Sequence, residues 1–342
     1  MTRKLFFRVI LAVVVVVAIY RVFMGQPKFQ LTHITGQTMG TIIYNVKYLG
    51  DDVPGYKTEI DSILRAFNQS LSTYIPDSEI SLLNRTDSIL YPTKMFTEVL
   101  ESSQVVFERT NGAFDPTVGP LVNAWGFGPD KSVTVPDSSV IDSLRSLVGF
   151  ERIIPQGSQV RMDPGMYLDF SAIAKGYAVD LVSEFLEGKG LEHYMVEIGG
   201  EVRARGQNQD NETWKIGIED PMVARDQQRL LAIVQLDDLS MATSGNYRNY
   251  YQVGDRIIAH TIDPRTGYNT SHNLLSASVF AEDCMTADAY ATAFMVLGVE
   301  GAKEILSTTE LEAFLIYQDD EGKLKSFVSS GLQSLIERNN IQ

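Results

Sequence analysis

The sequence predicts an α+β protein: a single compact, mixed and largely antiparallel domain of sheet and helix, behind one N-terminal membrane anchor helix. Three observations support this prediction. Strand-like runs cluster in the second half of the chain without a regular alternation of strand and helix, which disfavours a parallel sheet. No repeat or low-complexity tract divides the chain after residue 33. The first 24 residues join a basic leader to an apolar run.

The apolar run near the N-terminus is long enough to cross a membrane. It covers residues 5–24 and is interrupted only by Arg8 and Arg21, whose long side chains can reach the two interfaces. We expect an uncleaved anchor, because residues 18–20 fit a signal-peptidase site badly; a cleaved signal peptide is the alternative. The basic leader predicts a single-pass protein of the bacterial inner membrane whose domain faces the periplasm.

The rest of the chain is predicted to form one folded unit. We assign residues 1–24 to the anchor, 25–33 to a linker, 34–335 to the domain and 336–342 to a tail. With 44% hydrophobic residues, a domain of this length can bury a large core.

Hydrophobic periodicity predicts the elements of the domain in order. Residues 41–49 alternate as in a strand, and apolar residues then recur at helical spacing over 60–71 and 96–107. Asn111-Gly112 is a typical end for the second of these helices. A third helix is predicted from residue 174 to an end at Gly188 or Gly190, and a fourth from about 286 to 297. Further strands are predicted at 194–198, 214–218, 230–236, 257–262, 275–281 and 313–317.

The charge balance argues against nucleic-acid binding. The net charge is −14, and the first 24 residues hold four basic residues and no acid, so the remainder carries about −18. Affinity for a nucleic-acid backbone needs clustered Lys and Arg. A phosphate ligand would therefore be held by backbone N–H groups, a few placed cations or a metal. Cys284 is the single cysteine, which excludes an internal disulfide and a cysteine-based zinc site.

Several common catalytic signatures are missing from the sequence. It has neither the G-x-G-x-x-G of dinucleotide-binding folds nor the G-x-x-x-x-G-K-[ST] of P-loop enzymes. It also lacks the H-E-x-x-H of zinc proteases and the G-x-S-x-G of α/β-hydrolases. Its active site must therefore be built in another way.

The first candidate for chemistry is a pair of oxygen-bearing side chains on the fourth helix. Asp288 and Thr292 are four residues apart and so share one helix face, among small residues that allow a ligand to approach. A carboxylate and a hydroxyl suit Mg²⁺, which prefers oxygen and bridges to substrate phosphates. The alternative is structural: an acid near the helix N-terminus and a threonine bonded to the preceding turn.

Two further segments combine polar groups with turn signals. Residues 169–176 run from a strand end into a helix start and bring Asp169 and Lys175 near backbone N–H groups that can meet an anion. A capped helix with an exposed lysine is the alternative. His260 precedes Asp-Pro-Arg-Thr-Gly, a strong turn signal, and is either a general base, a phosphate ligand or a structural histidine.

Three weaker segments also carry turn residues beside polar groups. Residues 111–117 could present Phe114 and Asp115 to a flat ring. Residues 197–201 place paired glycines at a strand, where a ligand or another part of the backbone can approach closely. Residues 243–248 offer hydroxyls and an arginine. Taken singly, each segment is equally well explained as a turn.

Together and in this order, these segments resemble the FAD:protein FMN transferase family, the ApbE-type flavin transferases formerly labelled thiamine-biosynthesis lipoproteins. The similarity extends from residue 34 to about residue 320, and many short collinear motifs carry it. The matching segments are 37–41 (QTMGT), 71–74 (LSTY), 112–117 (GAFDPT), 125–127 (WGF), 169–180 (DFSAIAKGYAVD), 199–200 (GG), 243–245 (TSG), 260–267 (HTIDPRTG) and 287–293 (ADAYATA).

This resemblance implies an FAD site with Mg²⁺ at the pyrophosphate. The implied metal ligands are the side chains of Asp288 and Thr292 and the backbone carbonyl of Ala172. The implied flavin-binding residues are Met39, Tyr74, Ala113, Phe114, Asp115, Asp169, Lys175 and Ile262. His260 and Asp288 are the candidate bases, and the family pattern does not choose between them.

The implied reaction transfers FMN from FAD to a Thr or Ser hydroxyl of an acceptor flavoprotein, typically a membrane redox-complex subunit or an exported protein. A phosphoester forms and AMP leaves. Two alternatives stay open: a Mg²⁺-dependent FAD pyrophosphatase that releases FMN and AMP, and a flavin-binding protein without catalysis. Many relatives carry a lipid-attachment cysteine that this chain lacks, so we expect the anchor helix to replace the lipid.

Overall fold

The computed structural model of the protein describes residues 30–127, 135–223, 229–246, 250–253, 256–270 and 272–338. The predicted anchor at residues 1–24 lies outside these ranges. Among the helices within them, none has the length and apolar character to cross a membrane.

The described strands and helices confirm the predicted α+β class. In chain order the strands are β1 (Leu31–Thr38), β2 (Ile42–Leu49), β3 (Ser88–Leu90), β4 (Ile154–Gln156), β5 (Gln159–Arg161), β6 (Tyr194–Ile198), β7 (Glu201–Arg205), β8 (Trp214–Glu219), β9 (Leu230–Leu236), β10 (Leu239–Gly245), β11 (Tyr250–Val253), β12 (Arg256–Ala259), β13 (Leu274–Ala281), β14 (Glu312–Gln318), β15 (Leu324–Val328) and β16 (Ile336–Arg338). The helices are α1 (Tyr56–Leu71), α2 (Glu79–Thr86), α3 (Lys94–Arg109), α4 (Gly119–Ala124), α5 (Ser138–Arg145), α6 (Ala174–Gly188) and α7 (Cys284–Leu306), with short 3₁₀ turns at Phe150–Arg152 and Ser330–Leu332.

An eight-stranded sheet forms the centre of the fold, in the order β1-β2-β6-β7-β10-β13-β14-β15. Every neighbouring pair in it is antiparallel. Three smaller sheets surround it, in the orders β16-β9-β8, β3-β5-β4 and β11-β12. The largely antiparallel sheet predicted from the strand spacing is thus confirmed.

The large sheet is buried on both faces. Helix α7 packs on β10 and β13, α6 packs on β6 and β7, and the two helices pack against each other. Because successive strand residues point to opposite faces, Val279 joins the core with these helices while Phe280 joins a second core with Trp214 and Val234 of the small β8–β9 sheet. The fold is therefore layered as helices, large sheet and small sheet.

Both ends of the predicted domain are extended by strand pairing. Strand β1 begins at Leu31, inside the segment 25–33 that we expected to be a linker, and pairs with β2. Ile336–Arg338, inside the expected tail, pairs with β9. Such pairings join residues far apart in sequence, and periodicity within one segment does not reveal them.

Several predicted elements differ in their ends, and two of them carry candidate site residues. The strand expected at 257–262 stops at Ala259, and Ile262 makes only an isolated bridge to Asn269. The helix expected at 286–297 begins two residues earlier and continues to Leu306 across a break at Gly298, where φ is 72°. Glycine adopts that conformation without the usual steric cost, so two helical segments join there.

Candidate active site

A cavity of about 530 Å³ opens where α6, α7 and the end of β10 meet α4, the loops on either side of α4 and the loop that follows β12. All the predicted site residues except Met39 line it. They are Tyr74, Ala113, Phe114, Asp115, Asp169, Ala172, Lys175, His260, Ile262, Asp288 and Thr292. The sequence therefore predicted a set of residues that the fold brings together, while their individual roles stay predictions.

Met39 lies elsewhere in the part of the chain that the structure describes. It occupies the turn between β1 and β2, with a positive φ of 47°, and packs against the edge of the main core. It is not among the residues that form the cavity wall.

Asp288 is held on α7 by a close crossing of two helices. Its side chain is 3% exposed, and its Oδ2 accepts a hydrogen bond from the backbone N–H of Gly176 at 3.0 Å. A Cβ atom at Gly176 would lie 2.1 Å from the carbonyl oxygen of Cys284. Only glycine permits this approach, which brings the first turn of α6 to the carboxylate.

The first turn of α7 is fixed from two sides. The Asp283 side chain caps the helix by accepting a hydrogen bond from Thr286 N at 2.7 Å. The buried Asp180 carboxylate of α6 accepts from Cys284 N at 2.9 Å and Met285 N at 2.8 Å. Residues further along α7, including Asp288, are thereby held in register with α6.

Oxygen atoms gather one turn further along α7. Thr292 Oγ1 lies 3.2 Å from the hydroxyl of Ser244, and Thr243 Oγ1 lies 2.8 Å from that of Ser278. Residues 243–245 are the last of β10 rather than the turn that we considered as an alternative. The strand end therefore adds hydroxyl groups to the same wall as Asp288.

Lys175 supplies the positive charge next to Asp288. Its ammonium donates a short hydrogen bond to Glu201 and lies 4.0 Å from Asp288 Oδ1. Burial alone would lower the pKa of Lys175, but the carboxylates of Asp288 and Glu201 outweigh that effect and raise it. The lysine is therefore a fixed cation at neutral pH.

The loop before α6 carries the backbone groups predicted to face an anion. Asp169 Oδ1 accepts hydrogen bonds from the backbone N–H of Ser171 at 2.8 Å and from its hydroxyl at 2.5 Å. This Asx turn shapes the segment that leads through Ala172 to the helix start. Asp169 thus acts on the cavity through the conformation of the loop.

Asp115 holds the opposite wall of the cavity. Its Oδ1 accepts from the backbone N–H and the hydroxyl of Thr117 at 2.7 and 2.6 Å, and its Oδ2 accepts from Phe150 N at 3.3 Å. Burial raises the pKa of Asp115 to about 6, although these hydrogen bonds oppose the shift. The carboxylate fixes the turn that presents Ala113 and Phe114.

Aromatic side chains frame the cavity. Tyr74 is 82% exposed beside it, whereas Phe114 is buried in its wall. The rings of Phe127 and His260 meet edge to face, with centroids 6.2 Å apart. Exposed and buried rings around one cavity suit a ligand with flat aromatic groups.

Several cavity residues were missed by sequence reasoning. Tyr167 and Asn123 also line it, and no local motif marked them. Glu201 belongs to a segment that we noticed only for its paired glycines, and its contact with Lys175 spans 26 residues. An acidic residue at the start of a buried strand was the feature of the sequence that could have identified Glu201.

The donor set around Asp288 fits a hard cation better than a soft one. Within the described ranges, no group of three or more His, Cys, Asp or Glu side chains is arranged to hold a metal. The arrangement is instead one buried carboxylate, Asp288, with the hydroxyl groups of Thr292 and Ser244 one helix turn further along. Such a site suits Mg²⁺, which keeps several waters and shares its shell with substrate phosphates.

Comparison with known proteins decides the family. The model of the ApbE family matches residues 39–315. The chain belongs to the ApbE family. The family resemblance drawn from its motifs is confirmed, and the chain is an enzyme, since its curated relatives are named FAD:protein FMN transferases.

Among ApbE relatives, the FAD:protein FMN transferase of Vibrio cholerae is 38% identical over 315 residues, covering 90% of this chain and 93% of the relative. That of Haemophilus influenzae is 38% identical over 311 residues, covering 87% and 89%. The solved flavin transferase ApbE from Vibrio cholerae superimposes with a TM-score of 0.80 at 37% identity, covering 90% of this chain and 99% of that one.

Proposed function

We propose that this enzyme transfers FMN from FAD to a Thr or Ser hydroxyl of an acceptor protein, releasing AMP. The observation that carries the proposal is the meeting of a buried carboxylate, a fixed ammonium and flat rings in one cavity. Asp288 and Lys175 lie 4.0 Å apart in its wall, and Tyr74 stands exposed beside it. The names of the relatives, FAD:protein FMN transferase, support the same reaction.

A magnesium ion is part of this proposal. Asp288, Thr292 and the backbone carbonyl of Ala172 would hold it, and all three residues line the cavity. A Mg²⁺ ion held there would supply positive charge to the pyrophosphate of FAD. An acidic protein has particular need of such an ion, because Lys175 is the one lysine or arginine among the described residues that line the cavity.

The protein residues would then bind and orient both reactants. Lys175 pairs with a phosphate oxygen, and Tyr74 and Phe114 contact the flat rings of FAD. The acceptor hydroxyl oxygen attacks the phosphorus of the FMN half, a new P–O bond forms, and the bond to AMP breaks. His260 or Asp288 takes the hydroxyl proton, and both lie in the cavity wall.

The location and the partner follow from the N-terminal segment. Its basic leader and apolar run support a single-pass anchor in the bacterial inner membrane, with the cavity on the periplasmic side. The acceptor would then be an exported flavoprotein or a membrane redox-complex subunit that carries the modified Thr or Ser. No nucleic acid is a partner in this proposal.

The test incubates the full-length protein with FAD, Mg²⁺ and a candidate acceptor domain. The proposal predicts that the acceptor gains the mass of one FMN, with in-gel flavin fluorescence, and that one AMP appears for each acceptor modified. EDTA should abolish both. AMP and free FMN without a labelled acceptor would instead favour the pyrophosphatase, and unchanged FAD would leave only flavin binding.

Replacing the buried carboxylate tests the site itself. Asp288→Asn should lower the rate of acceptor labelling by about 10²-fold or more, because charge stabilisation at the breaking bond is lost. Glu300→Gln is the matched control on the same helix, since Glu300 is exposed and pairs only with the surface Lys303 in the described structure. Equal activity of Asp288→Asn and wild type would contradict the assignment.

A further inference from the structure

Glu201 lies directly behind the cavity wall and has no part in the reaction as proposed. It is 2% exposed, and its Oε1 accepts the hydrogen bond of the Lys175 ammonium. Within the described residues its Oε2 is buried without a hydrogen-bond partner. A carboxylate so placed is costly unless a charge compensates it, and Lys175 supplies that charge.

The glycines that precede Glu201 explain how it reaches Lys175. Gly199 and Gly200 form the turn between β6 and β7 with positive φ values of 66° and 110°. A Cβ atom at Gly199 would lie 2.9 Å from Ile42 Cγ2 and 3.7 Å from Lys175 Cδ. The paired glycines therefore let the first residue of β7 lie beneath the first turn of α6.

The Lys175 ammonium sits between two carboxylates that compete for it. It is hydrogen-bonded to Glu201 but 4.0 Å from the nearer oxygen of Asp288, beyond a hydrogen bond. Its four-carbon side chain is flexible enough to move between the two. With all three groups ionised, the cluster keeps one net negative charge, and Asp288 keeps an oxygen that is not bonded to the lysine.

We infer that Glu201 is a positioning residue that holds the Lys175 ammonium away from Asp288 and so leaves the Asp288 carboxylate free for a divalent cation. The inference rests on the metal site of the proposed function. Without the charge of Glu201, Lys175 would be drawn onto Asp288 and would compete with the cation for that carboxylate.

The experiment measures Mg²⁺ binding to the full-length protein by titration calorimetry, without FAD and without acceptor. Glu201→Gln should bind Mg²⁺ about 10- to 100-fold more weakly than wild type, the usual effect of losing a residue that orients a metal ligand. Glu197→Gln is the matched control on the same hairpin. Glu197 accepts from Asn45 Nδ2 at 2.7 Å and from Gly200 N at 2.8 Å, so its variant should bind Mg²⁺ as wild type does.

A double variant separates this role from a general structural one. In Lys175→Gln/Glu201→Gln the competing ammonium is gone, so Mg²⁺ affinity should return toward the wild-type value. Unchanged affinity in Glu201→Gln would overturn the inference, and so would a double variant as weak as the single one. If Glu201→Gln does not fold, Lys175→Gln alone decides: it should bind Mg²⁺ at least as tightly as wild type, and weaker binding would overturn the inference.

These outcomes are distinct from failure of the proposed reaction. A wild-type protein that binds no Mg²⁺ would overturn the metal site and this inference together. Wild-type binding with no effect of Glu201→Gln would overturn only the role of Glu201. Absence of flavin transfer to an acceptor would change neither calorimetric result.

Discussion

Asp115 shows how one buried carboxylate can shape the wall of a cavity that it also lines. Among the described residues, Thr117 and Phe150 donate the hydrogen bonds that it accepts, and these bonds fix the turn that carries Phe114. Burial raises its pKa from 3.8 to about 6. The turn is therefore coupled to pH.

This coupling predicts a pH dependence of stability. In the unfolded chain Asp115 loses its proton near pH 4, whereas in the folded protein it keeps it to about pH 6. The folded state therefore binds more protons in this window, and its free energy of unfolding falls as the pH rises from about 4 to about 6, by up to about 3 kcal/mol. The contribution is fully present below pH 4.

The measurement compares urea unfolding of wild type and Asp115→Asn at several pH values. The variant loses hydrogen bonds at every pH, but it cannot titrate at this position. The difference in free energy of unfolding between wild type and variant should therefore shrink as the pH rises through the window. A difference that stays constant from pH 4 to pH 7 would contradict the raised pKa.

Local spacing predicted some site residues and not others. Helical spacing marked Asp288 and Thr292 as candidates with a structural explanation still open, and only the family resemblance assigned them to the site. Lys175 was found because it follows a strand end at a helix start. Glu201 and Tyr167 were not, since their places in the site depend on contacts with residues distant in sequence.

At the scale of elements, the crossing of α6 and α7 builds the site. The two helices touch where Gly176 faces the carbonyl of Cys284, and the same glycine donates its N–H to Asp288. Both the packing of the two helices and the position of the Asp288 carboxylate thus depend on a residue without a side chain, Gly176.

Gly176→Ala should therefore damage both stability and function. The added methyl group would force the helices apart, at about 3 kcal/mol, the upper end of the usual penalty for overpacking. Flavin transfer should fall further than the loss of folded protein explains, because Asp288 moves. Thermal unfolding and acceptor labelling measure the two effects.

The same helix offers the control for this substitution. Gly188 is the last residue of α6 and has open space around it. Gly188→Ala should be neutral or stabilise the protein by up to about 1 kcal/mol, since alanine favours helix. If Gly176→Ala were as harmless as Gly188→Ala, the close crossing would not be essential.

Elements with strong internal periodicity could be predicted closely. The strands Tyr194–Ile198 and Leu230–Leu236 have the bounds that alternation predicted, and α6 begins at the predicted residue. Strands β1 and β16 were missed because they are stabilised by partners elsewhere in the chain. Their own residues carry too weak a pattern to mark them.

At the scale of the whole molecule, the large sheet and the helices packed on it contribute polar and charged residues to one cavity. The large sheet presents the end of β10 to the start of α6 and to α7, so residues from distant segments share one wall. The body of the protein carries a net charge of about −18, yet the cavity wall brings the Lys175 ammonium beside Asp288 and the hydroxyl groups of Ser244 and Thr292. We therefore predict that this cavity catalyses phosphoryl transfer from FAD, with a protein hydroxyl as the nucleophile.

The most direct test of that claim follows the oxygen atoms of the reaction in water enriched in ¹⁸O. If an acceptor hydroxyl attacks the FMN phosphorus, the new P–O bond uses the oxygen of the acceptor and AMP leaves with an oxygen from FAD. Mass spectrometry should then find no ¹⁸O in the phosphate of the labelled acceptor or in AMP. One ¹⁸O in released FMN or AMP, with no modified acceptor, would show that water is the nucleophile and would contradict the account.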